Sequence, residues 1–185
     1  MSTIAKQKLL TAEEFFLLPD PGNGMQQELV RGEVITMPPP GGLHGVSCLK
    51  AGRRIGNFVE DHNRGVTVSN DTGFITERNP DSVRGPDVAF WSKERLPEVP
   101  VGYIEIAPDL LVEVLSPSNT SKQIRAKLSE YFAKGVRLVW VIAPEDRTLT
   151  IYRNLDEGRL LHENATVTCD DVLPGFSCRV SDLLP

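Results

Sequence analysis

"PDLLVEVLSPSN", residues 108–119, is the stretch that decides the fold. From Leu110 to Leu115 it is a short apolar run rich in β-branched residues, and a Ser-Pro turn ends it, which predicts a buried strand. Glu113 stands in the middle of this run. A carboxylate taken out of water costs several kcal/mol unless it is paired, protonated or bound to a cation. Glu113 is therefore expected to be either a structural ion-pair partner or part of a site that holds a cation.

Length and composition limit what the chain can be. With 185 residues, of which 40% are apolar, it fits one compact α/β domain over residues 1–185. The first residues lack the apolar core of a signal peptide, and no apolar run approaches the ~18 residues that span a bilayer. We therefore expect a cytoplasmic protein with no membrane partner. The formal net charge of −5 argues against a surface that is positive throughout, but not against local basic tracks.

The cysteines and histidines of the chain do not indicate a zinc site. The cysteines form no C-x-x-C pair, so neither a disulfide framework nor a cysteine zinc site is suggested, and buried thiols are expected. The histidines are too scattered to suggest a zinc triad. These residues are Cys48, Cys169, Cys178, His44, His62 and His162.

Periodicity and turn residues predict the elements. Residues 1–42 should form an extension with a short helix, starting at the capping box of Thr11 and Glu14, and a β-hairpin. Residues 43–143 should form the core, with a long amphipathic helix over 43–61 and a second helix over 121–134. Residues 144–185 should add C-terminal strands and a tail. The predicted strands are 28–30, 34–37, 66–68, 73–76 (after a turn at Asn70-Asp71), 87–91, 110–115, 138–142 and 148–152, with loops at 77–84 and 92–108. This order predicts an α/β fold with a mixed sheet flanked by helices.

A second carboxylate, Asp87, begins the preceding predicted strand. Pro86 stands before it and forces an extended chain. If the two strands are neighbours, Asp87 and Glu113 meet at one place, with their carboxyl groups on the order of 4 to 6 Å apart. Two like charges repel there, and a hard divalent cation such as Mg²⁺ would relieve the repulsion.

These residues carry a resemblance. Pro86-Asp87, then Glu113-Val114-Leu115 on the next strand, then a helix with basic residues, resembles the PD-(D/E)xK superfamily of restriction-endonuclease-like nucleases. Over about residues 11–180, the segments QELVRGEV, GPDVAFW, PDLLVEVLSPSN, KLSEYFAKGV and VWVIAP are similar to a large bacterial family of endonucleases predicted from sequence. The resemblance implies a restriction-endonuclease-like core of αβββαβ order. It also implies that Asp87, Glu113 and the carbonyl of Val114 bind Mg²⁺, with Mn²⁺ as another suitable ion. The implied partner is nucleic acid, in particular DNA, and a homodimer is implied by analogy.

One motif position departs from the superfamily. The third motif residue should be lysine, but this chain has Leu115, which cannot steer a water molecule or stabilise charge on a phosphate. At 100° per residue, Lys127 lies at the boundary of the apolar face of its helix, and a lysine there can place its ammonium at the sheet edge. Lysines on this helix also occur within the superfamily. We therefore expect Lys127 as the catalytic lysine, within about 3 to 6 Å of Glu113. The alternatives are an ordinary helix-edge lysine or Arg125 as the substitute.

Three further residues are candidates for the site. Glu28 matches an acidic position of the family's hairpin motif and is expected to complete the metal shell or act on a bound water; the alternative is a solvent-facing hairpin residue. His44 begins the long helix, where the dipole and free amides favour a phosphate; the alternative is a plain helix-start residue. Arg125 is a second basic candidate for contact with nucleic acid.

Two function classes remain open. The first is a Mg²⁺-dependent endonuclease that hydrolyses phosphodiester bonds, in which Asp87, Glu113 and Lys127 are catalytic. The second is a nuclease-like domain without catalysis that acts as a nucleic-acid-binding or assembly module. Metal-dependent cleavage of DNA by the purified protein, with Asp87→Ala as the control, discriminates between them.

Overall fold

The computed structural model describes residues 8–69 and 72–185, so the turn expected at Asn70-Asp71 lies outside the described residues. The helices are α1 (Ala12–Phe16), α2 (Gly42–Asp61) and α3 (Ser121–Lys134), and a 3₁₀ helix covers Val180–Leu183. The strands are β1 (Gln26–Val30), β2 (Glu33–Met37), β3 (Gly65–Ser69), β4 (Phe74–Glu77), β5 (Ser82–Arg84), β6 (Val88–Ser92), β7 (Leu110–Val114), β8 (Leu138–Ala143), β9 (Thr148–Tyr152), β10 (Gly158–His162), β11 (Thr166–Thr168) and β12 (Ser177–Arg179).

Local capping sets the ends of α3, the helix that carries Lys127. The Thr120 side chain accepts from the backbone N–H of Gln123, and the Gln123 side chain accepts from the backbone N–H of Thr120. This reciprocal pair satisfies two donors that the first turn leaves unpaired. Gly135 ends the helix in the left-handed region at φ 101°, which a residue without a Cβ adopts without strain. The predicted bounds of the helix are therefore confirmed.

The central sheet has six strands in the order β10-β9-β8-β7-β6-β3. Strands β7 and β8 are parallel and are joined through α3, as a parallel crossover requires, while the other neighbours are antiparallel. Every residue of β7 is buried, because α2 covers one face of the sheet and α3 covers the other. The order α2, β3, β6, β7, α3, β8 is the predicted αβββαβ core.

A second sheet holds the hairpin, in the order β2-β1-β5-β4. Its strand β5 falls in residues 77–84, which the sequence predicts as a loop; that prediction is wrong at Ser82–Arg84. All three residues of β5 are buried, but three residues are too few to show an alternating pattern, and two of them are polar. At the other end of the chain, β11 pairs with β12 as a small separate sheet. Within the described ranges, no helix has the length and apolar character needed to cross a membrane.

Candidate active site

Strand pairing brings Asp87 and Glu113 together. Strands β6 and β7 are antiparallel neighbours, with Val88 opposite Val112. One further step in this register places Asp87 opposite Glu113, and directly opposed residues have Cβ atoms about 4.5 to 5.5 Å apart. Asp87 Oδ2 accepts a hydrogen bond of 2.7 Å from the backbone N–H of Val114, which ties the two strand ends together. Both carboxylates line one cleft of about 540 Å³.

Glu113 is buried among groups that hold its carboxylate in place. Its side chain accepts a hydrogen bond of 2.5 Å from the Tyr131 hydroxyl, and Lys127 Nζ lies 3.1 Å from its Oε2. Burial raises the pKa of Glu113; Lys127 opposes the shift, and the negative charges of Asp87 and Glu28 add to it. The positive charge of Lys127 therefore does not fully offset the cost of ionising Glu113, and a further cation in the cleft would stabilise the ionised form.

Lys127 reaches into the same cleft from α3. Its ammonium also lies 3.0 Å from Glu28 Oε1, and 19% of its side chain is exposed. Burial would lower the pKa of Lys127, but the carboxylates of Glu113 and Glu28 outweigh this effect and raise it. The distance to Glu113 falls within the range expected from the sequence, whereas the catalytic role stays a prediction. Leu115, at the usual lysine position, packs against the apolar cluster that contains Leu128.

Glu28 is buried, with 4% of its surface exposed, so the solvent-facing alternative is wrong. Its Oε2 lies 2.8 Å from an Arg84 guanidinium nitrogen, and its Oε1 accepts a hydrogen bond from the backbone N–H of Gly85. Burial alone would raise the pKa of Glu28, but Lys127 and Arg84 lower it below the usual value. Glu28 is thus held as an ionised carboxylate beside Lys127.

Four residues of this network were not predicted as part of a site. Arg84, from β5, also pairs with Glu130 of α3 at 2.5 Å, and Glu130 accepts a hydrogen bond from Thr76. Tyr131 lies on α3, and its hydroxyl donates a hydrogen bond to Glu113. The one signal available in the sequence was the position of Arg84, directly before Gly85-Pro86-Asp87.

On the other side of Asp87 lie the first two turns of α2. His44 Nε2 is 3.1 Å from Asp87 Oδ1, and the Cys48 thiol donates to the same oxygen at 3.3 Å. His44 therefore faces Asp87, and its predicted contact with a phosphate stays a prediction. Cys48 is only partly buried, so the expectation of a buried thiol is wrong there, although it is correct for Cys169 and Cys178.

Arg125 lies apart from these residues. It is exposed and lines a separate groove of about 360 Å³ together with Leu115, Tyr152 and Leu155. It does not line the cleft that contains Asp87 and Glu113. The structure thus gives it no part in replacing the motif lysine, and its contact with nucleic acid stays a prediction.

The charges and donor atoms of the cleft fit a hard divalent cation. Glu28, Asp87 and Glu113 bring three carboxylates to its wall, and Lys127 brings one ammonium. Carboxylate and carbonyl oxygens are the ligands that Mg²⁺ and Mn²⁺ prefer. Burial, with a smaller contribution from the charges of Asp87 and Glu28, raises the pKa of Glu113, and such an ion would favour its ionised form.

Comparisons with known proteins identify the family of the chain and a solved structure with the same fold. The model of the Uma2 family, described as "Putative restriction endonuclease", matches residues 12–181. A solved structure from Anabaena variabilis ATCC 29413, described as "a putative nuclease belonging to DUF820", has a TM-score of 0.76 and 23% sequence identity, over 94% of this chain and 97% of that chain. At this identity the likeness shows a shared fold. A search of curated proteins found no match.

The segment that matches the family contains the strands of Asp87 and Glu113 and the helix of Lys127. It also covers most of the chain. Together with the αβββαβ core, this confirms the resemblance to restriction-endonuclease-like proteins that the sequence indicated. The chain belongs to the Uma2 family, described as "Putative restriction endonuclease".

Proposed function

We propose that this chain is a divalent-metal-dependent endonuclease that hydrolyses phosphodiester bonds in nucleic acid, with DNA as the substrate. The observation that carries this proposal is the meeting of Asp87 and Glu113, from neighbouring strands, with Lys127, from a helix, in one cleft. The description of the family supports a nuclease activity in general terms.

Asp87, Glu113 and the backbone carbonyl of Val114 would hold Mg²⁺, with Glu28 beside them; Mn²⁺ accepts the same ligands. A bound Mg²⁺ lowers the pKa of a water molecule and neutralises charge on the phosphate. Tyr131 fixes the orientation of Glu113 through its 2.5 Å hydrogen bond. The Val114 amide fixes Asp87 in the same way. The ligand set is thus held in place by neighbouring groups before any ion arrives.

Lys127 acts in this proposal as a positive charge. Its raised pKa keeps the ammonium protonated at neutral pH, so it is a poor general base. A protonated lysine beside Glu113 orients the attacking water and stabilises the negative charge that develops on the phosphate. The lowered pKa of Glu28 likewise favours an ionised ligand over a group that takes a proton. Glu28 holds the ammonium of Lys127 at 3.0 Å.

The proposal extends to the surroundings of the cleft. His44, at the start of α2, and Arg125, on the exposed side of α3, are proposed contacts for the backbone of nucleic acid. A homodimer would place two such sites on the two strands of a duplex. The protein would act in the cytoplasm. Size-exclusion chromatography with light scattering tests the homodimer, because a monomeric mass at micromolar concentration would contradict it.

The decisive experiment is cleavage by the purified protein. Supercoiled plasmid, single-stranded DNA and RNA are incubated with Mg²⁺, with Mn²⁺ or with EDTA, and the products are separated on gels. We expect cleavage of DNA only with the metals, and none by the Asp87→Asn variant. The Lys127→Ala variant should also fail, whereas Lys122→Ala, an exposed lysine of the same helix, should cut like the parent.

Two results would contradict the proposal. Cleavage that persists in Asp87→Asn or in EDTA would come from a contaminant or another site. Binding of Mg²⁺ without cleavage of any nucleic acid would favour the non-catalytic binding or assembly module instead.

A further inference from the structure

Three side chains of types that bind metal ions meet beside α2: His44, Cys48 and Asp87. His44 and Cys48 are four residues apart on α2, so they lie on the same face of the helix, one turn apart. Taking one donor atom from each residue, His44 Nε2 lies 3.1 Å from Asp87 Oδ1, Cys48 Sγ lies 3.3 Å from Asp87 Oδ1, and Cys48 Sγ lies 3.9 Å from His44 Nε2. Among the described residues, this trio is the group that meets the spacing of a metal site.

These spacings match a tetrahedral zinc ion. Zinc binds sulfur at about 2.3 Å, imidazole nitrogen at about 2.0 to 2.1 Å and carboxylate oxygen at about 2.0 to 2.2 Å. At tetrahedral angles these bond lengths require donor atoms roughly 3.4 to 3.6 Å apart. The observed distances of 3.1, 3.3 and 3.9 Å lie within about 0.3 Å of that range. Small side-chain adjustments would therefore suffice to receive the ion.

We propose that His44, Cys48 and Asp87 form a second metal site, which takes Zn²⁺ and overlaps the Mg²⁺ ligand set only at Asp87. A thiolate and an imidazole favour Zn²⁺ over Mg²⁺, which prefers oxygen ligands. The side chains of His44 and Asp87 are 13% and 11% exposed, so the site is partly dry. All three residues also line a cleft of about 550 Å³, through which an ion enters and from which a water completes the tetrahedron.

The two sites share Asp87, so their ions compete. Oδ1 faces His44 and Cys48, while Oδ2 accepts the hydrogen bond from the Val114 amide. A zinc ion on Oδ1 would remove this oxygen from the Mg²⁺ ligand set and place a positive charge beside the Mg²⁺ site. Zn²⁺ is therefore an inhibitor that acts against Mg²⁺, a consequence that rests on the proposed function, whereas the zinc site itself does not.

Cobalt(II) replaces zinc as a coloured probe of the site. The reduced, metal-free protein is titrated with Co²⁺, and a sulfur-to-cobalt charge-transfer band in the near ultraviolet reports thiolate coordination. We expect this band in the parent protein and its removal by one equivalent of Zn²⁺. Cys48→Ser should abolish the band and weaken Co²⁺ binding at least about tenfold, whereas Cys178→Ala, at a buried cysteine outside the trio, should retain the band.

The Glu113→Gln variant separates this proposal from the proposed function. It should lose Mg²⁺-dependent cleavage yet keep the cobalt band, because Glu113 is not one of the three zinc ligands. In the parent protein, Mg²⁺ should weaken Co²⁺ binding, and in Glu113→Gln it should not. If no nucleic acid is cleaved but the band is present, the zinc site stands and the nuclease proposal fails.

Three results would overturn the inference. The first is a parent protein without a charge-transfer band, and the second is a band that persists in Cys48→Ser. If Cys48→Ser fails to fold, a third measurement replaces it: alkylation of Cys48 in the native parent protein, followed by mass spectrometry. This alkylation should be slowed by Zn²⁺ and not by Mg²⁺. An alkylation rate unchanged by Zn²⁺ would exclude the site. A Co²⁺ affinity that Mg²⁺ does not change in the parent protein would contradict the proposed competition between the two ions.

Discussion

Replacing Lys127 by alanine changes the charge balance of the cleft. The ammonium lies 3.0 Å from Glu28 and 3.1 Å from Glu113, and 19% of the side chain is exposed. At an effective dielectric constant of about 20, each attraction is on the order of 5 kcal/mol before the desolvation of the ions is subtracted. Desolvation removes much of this, so the net cost of losing one partner of a buried pair is about 3 to 5 kcal/mol.

The lower part of that range applies to Lys127→Ala. Glu28 keeps its ion pair with Arg84, and Glu113 keeps the hydroxyl of Tyr131. We therefore expect the free energy of unfolding to fall by about 3 kcal/mol at pH 7.5. A solvent-facing lysine at the edge of a helix would contribute less than about 0.5 kcal/mol.

The loss should diminish in acid. Without Lys127, the pKa of the buried Glu113 rises further above its value in the unfolded chain. At pH values between these two pKa values, the folded state holds a proton on Glu113 that the unfolded state lacks. The stability of the variant then falls with rising pH, by up to about 1.4 kcal/mol per pH unit. The gap to the parent is therefore largest near neutrality and narrows as the pH falls toward the unfolded pKa of glutamate.

Urea unfolding, followed by circular dichroism at pH 7.5 and pH 5, measures this gap. Lys122→Ala is the matched control, because it removes an exposed lysine from the same helix. Adding Glu113→Gln to Lys127→Ala should recover part of the loss, since the uncompensated charge is gone. The reasoning is refuted if Lys127→Ala unfolds within about 0.5 kcal/mol of the parent at pH 7.5, or if the gap stays the same at pH 5.

Further predictions concern the metal ligands and the network behind them. Asp87→Asn should remove Mg²⁺ binding measured by calorimetry; an unchanged affinity would count against the ligand set. Arg84→Ala should lower the free energy of unfolding by about 3 to 5 kcal/mol, measured with urea, because it leaves Glu28 and Glu130 buried without their shared cation. Mg²⁺ at 100 times its Kd should stabilise the protein by about 2.7 kcal/mol at pH 7.5. The rise in Tm should be smaller at pH 5, because Glu113, whose pKa burial raises, is then more often protonated and ligates poorly; an equal rise would argue against Glu113 as a ligand.

The sequence was most informative where local chemistry alone sets the structure. Thr120, Gln123 and Gly135 fix the ends of α3 through contacts within a few residues, so the predicted bounds hold. The sequence also indicated that Asp87 and Glu113 would meet if their strands were neighbours, and the structure pairs the two strands.

The parts that the sequence did not reveal depend on contacts between distant elements. Arg84 lies in a strand of three residues, and its partners Glu28 and Glu130 are 56 and 46 residues away along the chain. The burial of Glu28 follows from this network, and neither the hairpin pattern nor the turn residues contain that information. Cys48 likewise carries no C-x-x-C signal, and only the packing of α2 beside β6 brings it to Asp87.

Because the ammonium of Lys127 comes from α3 and not from β7, its position depends on the motion of α3. In a D/E-x-K strand, the lysine is two residues from the glutamate and moves with it. Here Lys127 is separated from Glu113 by 14 residues and keeps its position only while α3 stays docked. Docked helices open locally at free energies below that of global unfolding. Such an opening would leave the strand pair of Asp87 and Glu113 intact but without its lysine, which in the proposed mechanism is a state that binds the ion and does not cleave. Amide hydrogen exchange should reveal it as faster exchange in α3 than in β7.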